Sequence, residues 1–564
     1  MKVADYIVDF LIKKNVSNVF GIPGEIVLDF LDSLNSRKDE ITTHINYHEQ
    51  ASAFAACGYA QASNNLCVAY STKGPGLTNM ITAIADSFYD SIPVLFLTAY
   101  SNFNETNIRF ETNQEFDTIH MLSKITKYAV RITDKKNVQS EFEHAYNQAM
   151  TGRKGPVFID INVDILKSDI NTDSFNLYKN ENTNYDSSRS IIDCIKTSVS
   201  TAKRPVLLIG DGINLSGTNN YLQNFVNKIK IPVISSRFSQ DALNCSQYYF
   251  GYIGSHGTRY SNFILSKCDL VIAIGNRLSY KASSKSFAVF IKQTPIIRIE
   301  IDKNEFLRNQ PNCTNFHADL KTLMPILARE KWEDFIDKKW IDTCNILKYE
   351  LYSEDIYYPV NTISSILKKS NDNWIITSDV GNNEFWLSRA YTYAAKPNRI
   401  IFSKSFGALG CSLPKAIGAY YHSKDRILCF SGDQGIQMNL QELQYISHEN
   451  LPITIIILNN LSSGMIRNKQ KETLNSRFFH TTIESGYSTP NFSAIANAFS
   501  IPYFAIENET YAEYDRFSVL SGPCIVEIII KEDVEILPKL PVENSCQNFI
   551  PLLNKITFNY LDSL

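Results

Sequence analysis

Residues 431–460 read SGDQGIQMNLQELQYISHENLPITIIILNN. RILCFSGD at 426–433 is a short apolar strand that closes on Asp433, a helical stretch occupies 436–449, and PITIIIL at 452–458 runs into Asn459-Asn460. Strand, loop, helix and strand in so short a span is the repeat of a parallel α/β layer. Ligands of such layers gather at the carboxyl ends of the strands, where Asp433 and Asn460 stand 27 positions apart. A carboxylate and an amide oxygen make a hard-oxygen pair suited to magnesium, a cation that keeps water and phosphate oxygens as further ligands. The start of helix 436–449 can face the same anion. Taken alone, a turn Asp and a strand-end Asn account for the pair equally well.

The alternation extends through the chain. Apolar strands recur as VAYS at 68–71 and PVLFLT at 93–98, as PVLLIGDG at 205–212, IPVIS at 231–235, LVIAIG at 270–275 and PIIRIEID at 295–302, and as WIITSDVG at 374–381. The fold class is therefore α/β, with three doubly wound parallel-sheet domains. The expected divisions are 1–166, a polar linker KSDINTDSFNLYKNENTNYDSSRS at 167–190, then 191–345, 360–545 and a tail at 546–564. The first and third blocks also look alike. Gly58 opens GYAQASNNLCVAYSTKGPG and Gly418 opens GAYYHSKDRILCFSGDQG; Ser71 precedes Pro93 by 22 positions and Ser431 precedes Pro452 by 21. Shared order and spacing suggest two related units.

Composition excludes several classes. With 55 basic and 58 acidic residues in 564, and a net charge of -3, the chain lacks the footprint of a nucleic-acid binder. No apolar run reaches the roughly 18 residues of a membrane span. The opening MKVADYIVDFLIKK carries Asp5 and Asp9 inside its apolar stretch and reads as an amphipathic helix rather than a signal peptide. Eleven cysteines without C-x-x-C spacing point to free thiols and a cytoplasmic protein.

A second signature is HINYHEQASAFAACGYAQ at 44–61, in which Glu49 precedes a run of small residues. With it go STKGPGLTN at 71–79, DSFYDSIPVLFLTA at 86–99, DVGNNEFW at 379–386 and SKSFGALGCSLPKAIGA at 403–419. In this order the segments resemble the thiamin diphosphate enzymes, particularly the acetolactate synthase branch, from residue 1 to about 555. The resemblance implies a pyrimidine-binding first domain, a central FAD-type domain and a diphosphate-binding third domain. It implies Asp433, Asn460 and the Ser462 carbonyl as magnesium ligands, and Gly381, Asn382, Gly432, Gly435 and Met465 as cofactor contacts. Leu409 would be the apolar wedge that bends thiamin. Glu49 would hydrogen-bond the aminopyrimidine so that its imino nitrogen can take the thiazolium C2 proton, a relay that a buried carboxylate suits. Gln114 is implied as a further catalytic residue. Gln434 stands where the family usually has Gly, which raises a question about the loop, since Gly alone adopts positive φ freely.

In the central block, Gly210-Asp211-Gly212 alone is a weak dinucleotide signal. Gly254, His256 and Gly257 in GSHG, Gly275 and Arg277 in GNR, Asp302 and Asp319 fall where acetolactate-synthase-like enzymes bind FAD, which in a ligation would be structural and not redox-active.

Departures bear on the substrate. Lys281 stands where those synthases usually carry an Arg that grips an acceptor carboxylate, and Lys lacks Arg's bidentate fork. Lys469 stands in place of a Trp, and Asn113 in place of a Phe. The sequence is similar to carboligases of bacterial surface-sugar pathways of the yersiniose type, whose acceptor this more polar pocket suits. The expectation is thus decarboxylation of pyruvate and transfer of the two-carbon unit to a ketone, such as a nucleotide-linked deoxy-ketosugar. Acetolactate synthase proper is the alternative. Glu25, where the synthases have Gly and pyruvate decarboxylases Asp, keeps a 2-keto acid decarboxylase open; an inactive cofactor-binding regulator is the non-enzyme reading. The family implies a homodimer or homotetramer with sites between subunits, and no membrane or nucleic-acid partner.

Overall fold

A computed structural model of the chain describes residues 1–101, 113–171, 184–243, 245–279, 294–307, 312–332, 338–352, 356–507, 519–541 and 545–564. Lys281 lies outside the described residues. The chain divides into two compact units. The first comprises Met1–Asn182, Asn373–Asn383 and Arg399–Glu532; the second comprises Thr183–Asp372, Glu384–Asn398 and Asp533–Leu564.

The first unit holds two six-stranded sheets. One is built from β1 (Asn18–Gly21), β2 (Thr42–Ile45), β3 (Cys67–Tyr70), β4 (Val94–Tyr100), β5 (Tyr128–Ile132) and β6 (Val157–Asn162), in the order β2-β1-β3-β4-β6-β5. In the second unit β7 (Pro205–Ile209), β8 (Val233–Ser235), β9 (Tyr249–Tyr252), β10 (Leu270–Ile274), β11 (Ile296–Glu300) and β12 (Cys313–His317) run in the order β12-β11-β10-β7-β8-β9. That is the order of a dinucleotide-binding sheet, with its switch point between β7 and β10. The other sheet of the first unit contains β13 (Ile375–Ser378), β14 (Ile400–Ile401), β15 (Ile427–Gly432), β16 (Ile453–Asn459), β17 (Tyr503–Ile506) and β18 (Cys524–Ile529), ordered β14-β13-β15-β16-β18-β17. The two sheets of the first unit thus share one topology, and the likeness of the segments opened by Gly58 and Gly418 has a structural counterpart.

The strands form where β-branched runs can be covered on both faces. Every residue of β16, ITIIILN, is buried, and its pairings to β15 and β18 are parallel. One apolar core joins Phe20, Phe54 and Phe96 from the first sheet to Ile427, Ile453 and Ile455 from the third. Four helices position the polar groups of the first unit: α1 (Glu49–Ser63), α2 (Pro75–Asp90), α3 (Ser412–Ser423) and α4 (Glu442–His448). The chain starts with the amphipathic helix Val3–Lys13, which buries Val3, Ala4, Ile7, Val8, Phe10 and Leu11. Residues 555–563, in the stretch read as a tail, form a helix whose Leu561 is fully buried within the second unit. No helix among the described residues is long and apolar enough to cross a membrane, and all eleven cysteines are free.

Helices α1 and α3 cross at two glycines. A Cβ on Gly58 would run into the Lys415 carbonyl, and a Cβ on Gly418 would run into the Ala55 carbonyl. Any side chain there would push the helices apart. Beside the crossing, Lys415 of α3 donates to Asp86 Oδ2 of α2 at 2.8 Å, both side chains being fully buried. Burial opposes the ammonium charge, but the Asp86 carboxylate outweighs it and raises the Lys415 pKa. Asp86 also accepts from Ser403 Oγ. Asp90, one turn further along α2, accepts the backbone N–H groups of Lys404 and Ser405 at 2.6 and 2.8 Å. Removing one partner of a buried pair leaves an uncompensated charge worth about 3–5 kcal/mol. Lys415→Met is expected to lower unfolding stability by about that amount, and Lys415→Met combined with Asp86→Leu to recover most of it; urea denaturation of both variants measures this.

Candidate functional site

The ends of β13, β15 and β16 build a polar cradle in the first unit. Asp379 follows β13 and is buried; it accepts the Val380 N–H at 2.8 Å, the Gly410 N–H at 2.9 Å and the Ser431 hydroxyl at 3.0 Å. One carboxylate thereby ties the chain after β13 to the Gly410 loop and to the end of β15. Burial raises its pKa to about 6 against the pull of those bonds. Gly435 packs on it so closely that a Cβ would stand 2.5 Å from Asp379 Oδ2. Gln434, the residue in question from sequence, has φ -82 and ψ -45. Any L-residue adopts that conformation, so the demand for glycine falls on position 435. The stretch read as one helix over 436–449 is a 3-10 turn at Gly435–Asn439 followed by α4. Asn439, at the junction, turns its side-chain amide to the Gly410 carbonyl at 2.8 Å.

Inside the cradle three amide atoms converge without partners. Asn382 Nδ2 and Oδ1 and Asn460 Nδ2 are buried and unbonded. Gly464 makes room for them, since a Cβ there would stand 2.7 Å from Asn460 Nδ2. Orphaned buried amides cost about 1–3 kcal/mol each, and a native structure holds such a cluster together where a ligand satisfies it. N–H donors of this kind suit phosphate oxygens. Asp433 lies at the same rim. Burial pushes its carboxyl up to about 6, opposed by the Tyr487 hydroxyl, which donates to Oδ2 at 3.0 Å, and by neighbouring backbone N–H groups. Ser462 is buried, its hydroxyl donating to the Thr481 carbonyl at 2.6 Å. Among the described residues no three His, Cys, Asp or Glu side chains converge as a metal group. The cradle instead offers one carboxylate, one amide oxygen and one carbonyl. That set fits magnesium, which draws its remaining ligands from phosphate and water. Gly381 (φ 131) and Gly432 line the cradle backbone. Leu409 and Met465 project from it, each about two-fifths exposed at 38% and 41%.

A second group gathers at the start of α2. Glu49, the first residue of α1, is only partly buried within one chain, and its Oε2 accepts from Asn79 Nδ2 at 2.9 Å. Its Oε1 lies 3.3 Å from where a Cβ on Gly76 would be. Gly74, at φ 62, caps α2, and a Cβ on it would stand 2.6 Å from the Gln114 carbonyl. Gln114 itself is held at φ 59, an uncommon conformation for a residue with a side chain. Lys73 and Glu115, the neighbours of Gly74 and Gln114, form a 2.8 Å ion pair at 13% and 3% exposure, clamping the two segments together. Glu25 is exposed at the head of a 3-10 turn, next to Gly24, where a Cβ would stand 2.6 Å from Thr72. Asn113 is exposed. Lys469 is exposed on α5 (Gly464–Thr473), a helix with no buried residue, 3.8 Å from Glu472.

The entry to α1 is fixed from the third sheet's side. Glu442 of α4 is fully buried; it accepts Asn46 Nδ2 at 2.9 Å and the Tyr47 N–H at 3.0 Å. Burial raises its pKa to about 7. Asp379, Glu442, Asn79, Lys73 and Tyr487 were not singled out from sequence. Asp379 and Asn79 lie inside the quoted segments DVGNNEFW and STKGPGLTN, where an acid or amide at a strand or helix end was a usable signal. Glu442 and Tyr487 carried none, because their partners are remote in sequence.

In the second unit the GSHG and G-x-G residues serve packing. A Cβ on Gly210 would strike the Gly275 carbonyl, and one on Gly212 would stand 2.7 Å from Gly275 Cα. The His256 ring lies 4.4 Å from the Phe385 ring, and burial, followed by Arg237, pushes its pKa down to about 3. Gly254 has φ 128, and its carbonyl accepts the Gly257 N–H at 3.0 Å. Asp319 caps a helix by accepting the Lys321 N–H at 2.8 Å, and Asp302 accepts the Asn304 N–H at 3.0 Å. Arg277 is partly buried just beyond β10.

Comparison with known proteins agrees with this layout. Residues 1–121 match the family described as thiamine pyrophosphate enzyme, N-terminal TPP binding domain. Residues 192–327 match its central domain and 379–528 its C-terminal TPP binding domain. The chain is 31% identical to the acetolactate synthase large subunit of Lactococcus lactis, over 93% of this chain and 92% of that one. It is 29% identical to the acetolactate synthase isozyme 2 large subunit of Escherichia coli, covering 96% and 98%. It is 28% identical to the acetolactate synthase large subunit of Cyanidium caldarium, covering 98% and 97%.

The Glu442 geometry sets a pH dependence. Its folded pKa of about 7 lies above the ordinary 4.5, so the folded protein binds the proton more tightly. Stability is then greatest below about pH 4.5 as far as this group is concerned, and falls as pH rises through about 7. The span is about 3 kcal/mol. Glu442→Gln is expected to flatten that part of the stability profile, read from denaturant midpoints between these pH values.

Proposed function

Because the chain belongs to the thiamine pyrophosphate enzyme family, in its acetolactate synthase-like branch, we propose that it decarboxylates pyruvate and transfers the resulting two-carbon unit to a second keto compound. Thiamin diphosphate, when bound, supplies the electron sink for the carbon that loses carbon dioxide. The observation that carries this reading is the cradle of unpartnered Asn382 and Asn460 amides beside Asp433. The Asn382 and Asn460 amides would hold the diphosphate group, and Asp433, Asn460 and the Ser462 carbonyl would hold magnesium. Gly381, Gly432 and Gly435 keep side chains out of the phosphate's way, and Leu409 and Met465 supply apolar surface. Glu49, steadied by Asn79, holds a proton at the aminopyrimidine. Gln114 and Glu25 border the same helix start and serve proton handling at the reacting carbon.

A second copy of the chain completes the site. In support, Glu49 is partly open in a single chain, and Leu409, Phe406, Met465, Ile466 and Tyr89 leave apolar side chains exposed. FAD is proposed for the second unit, at the switch point between β7 and β10. Gly210, Gly212 and Gly275 admit close backbone there, with Gly254, His256, Gly257, Arg277, Asp302 and Asp319 around it. The fit is one of topology and glycine placement, since His256 and Asp319 are committed to their own neighbours. No electron transfer is required of it.

A second pyruvate, giving acetolactate, is the first acceptor to consider, as the relatives named acetolactate synthase cover nearly the whole chain. A ketone on a nucleotide-linked sugar is the second. It is favoured by the exposed Lys469 on α5 and by the exposed Asn113, cationic and polar where the family usually has aromatic residues; Lys281 is assigned to the same pocket from sequence.

Product analysis with pyruvate alone, and with an equal concentration of a nucleotide ketosugar, decides between them. Acetolactate as the main product in both mixtures establishes the synthase. A branched sugar in the second mixture establishes the sugar carboligase, and acetaldehyde alone would refute both. Glu49→Gln is expected to retain thiamin diphosphate binding while losing about 10²–10⁴-fold in turnover, the worth of a positioned proton-transfer group. Deuterium exchange at the bound thiazolium C2 should slow in parallel; exchange at the unmodified rate would remove Glu49 from that role.

A further inference from the structure

We propose that Tyr487 is a positioning residue of the cation site, holding the Asp433 carboxylate from outside the ligand set so that its Oδ1 faces the metal. This rests on the magnesium reading above. An aspartate has two soft torsions and can present either oxygen. The Tyr487 hydroxyl, donating at 3.0 Å, takes Oδ2 and leaves the other oxygen to a cation.

The turn that carries Tyr487 reaches the second donor as well. Its own backbone closes tightly: Tyr487 N–H donates to the Thr482 carbonyl at 2.9 Å, and Ser485 N–H to the same carbonyl at 3.1 Å. The Ser485 hydroxyl oxygen accepts the N–H groups of Thr481 and Thr482 at 3.0 and 2.9 Å. At its other end, the Thr481 carbonyl accepts the Ser462 hydroxyl at 2.6 Å and the Ser463 N–H at 3.1 Å. One short turn therefore grips the chain after β15 at Asp433 and the chain after β16 at Ser462. It sets the separation of two donors that arrive on different strands. Magnesium demands near-octahedral geometry at short distances, so that separation is what its affinity depends on. Residues that orient metal ligands in this way are worth about ten- to hundredfold in affinity. The turn also joins α5, because Thr481 Oγ1 donates to Gln470 Oε1 at 2.6 Å. The cation site and the helix bearing Lys469 thus share one support.

The test is direct cation binding, independent of turnover. Full-length protein stripped of divalent ions and saturated with thiamin diphosphate is titrated with Mn2+, and the paramagnetic resonance signal of free Mn2+ is followed. Tyr487→Phe keeps the ring and removes the hydroxyl. It is expected to bind Mn2+ about ten- to hundredfold more weakly, while the stripped variant stays folded with a cooperative thermal transition. Asp433→Ala is expected to abolish binding in the same assay. Wild-type affinity in Tyr487→Phe alongside loss in Asp433→Ala overturns the proposal. Wild-type affinity in both variants overturns the magnesium reading itself, and the proposal with it.

Discussion

The first unit depends on the crossing of α1 and α3. At Gly58 and Gly418 each helix meets the backbone of the other, and the contact is reciprocal: each glycine lies against the residue three positions before its counterpart, Lys415 and Ala55. Only a residue without Cβ allows that approach. The helices lead to the two working edges of the unit. Glu49 begins α1, and the segment carrying Leu409 and Gly410 precedes α3. A change in the helix separation would move the start of α1 and the Leu409-Gly410 segment relative to each other, so the position of both depends on this contact.

Buried carboxylates organise the loops around this crossing. Asp86 with Lys415 and Ser403, Asp90 with the Lys404 and Ser405 amides, Asp379 with Gly410 and Ser431, and Glu442 with Asn46 and Tyr47 all share one plan. A carboxylate on a helix or strand end accepts from the backbone or side chains of a segment distant in the sequence. Each is costly to bury, and its donors offset part of that cost only while they stay in place. That makes such contacts geometrically strict, because a loop that drifts exposes an unpaired charge in a dry interior. Loops held this way keep a preorganised site. Lys415 is the cation within this set, and its full burial between Asp86 and the Phe402 carbonyl balances the charge at the helix crossing.

The cradle shows a different economy. Asn382 and Asn460 face each other across Gly464 with amide groups left unbonded. The buried carboxylates find their donors within the protein, whereas Asn382 Nδ2 and Oδ1 and Asn460 Nδ2 do not. Gln434 is instructive beside them. It departs from the family pattern, yet the backbone at 434 is ordinary and the steric demand sits one residue later, at Gly435 against Asp379.

Much was legible from the amino-acid order alone. The α/β class, the strands ending at Asp433 and Asn460, the related first and third blocks and the family resemblance all come from local patterns. Apolar periodicity and strand-end chemistry are properties of neighbours in the chain. The tertiary structure decided the rest. Glu442 lies nearly four hundred positions from Asn46, Lys415 is similarly remote from Asp86, and Tyr487 is far along the chain from Asp433. Such pairs leave no local period to read. They exist because two sheets of one topology bury a common core and bring their strand ends and helix starts within hydrogen-bonding reach. The reason Gly58 and Gly418 must be glycine is likewise absent from either segment, since it is the opposite helix that occupies the space a side chain would need.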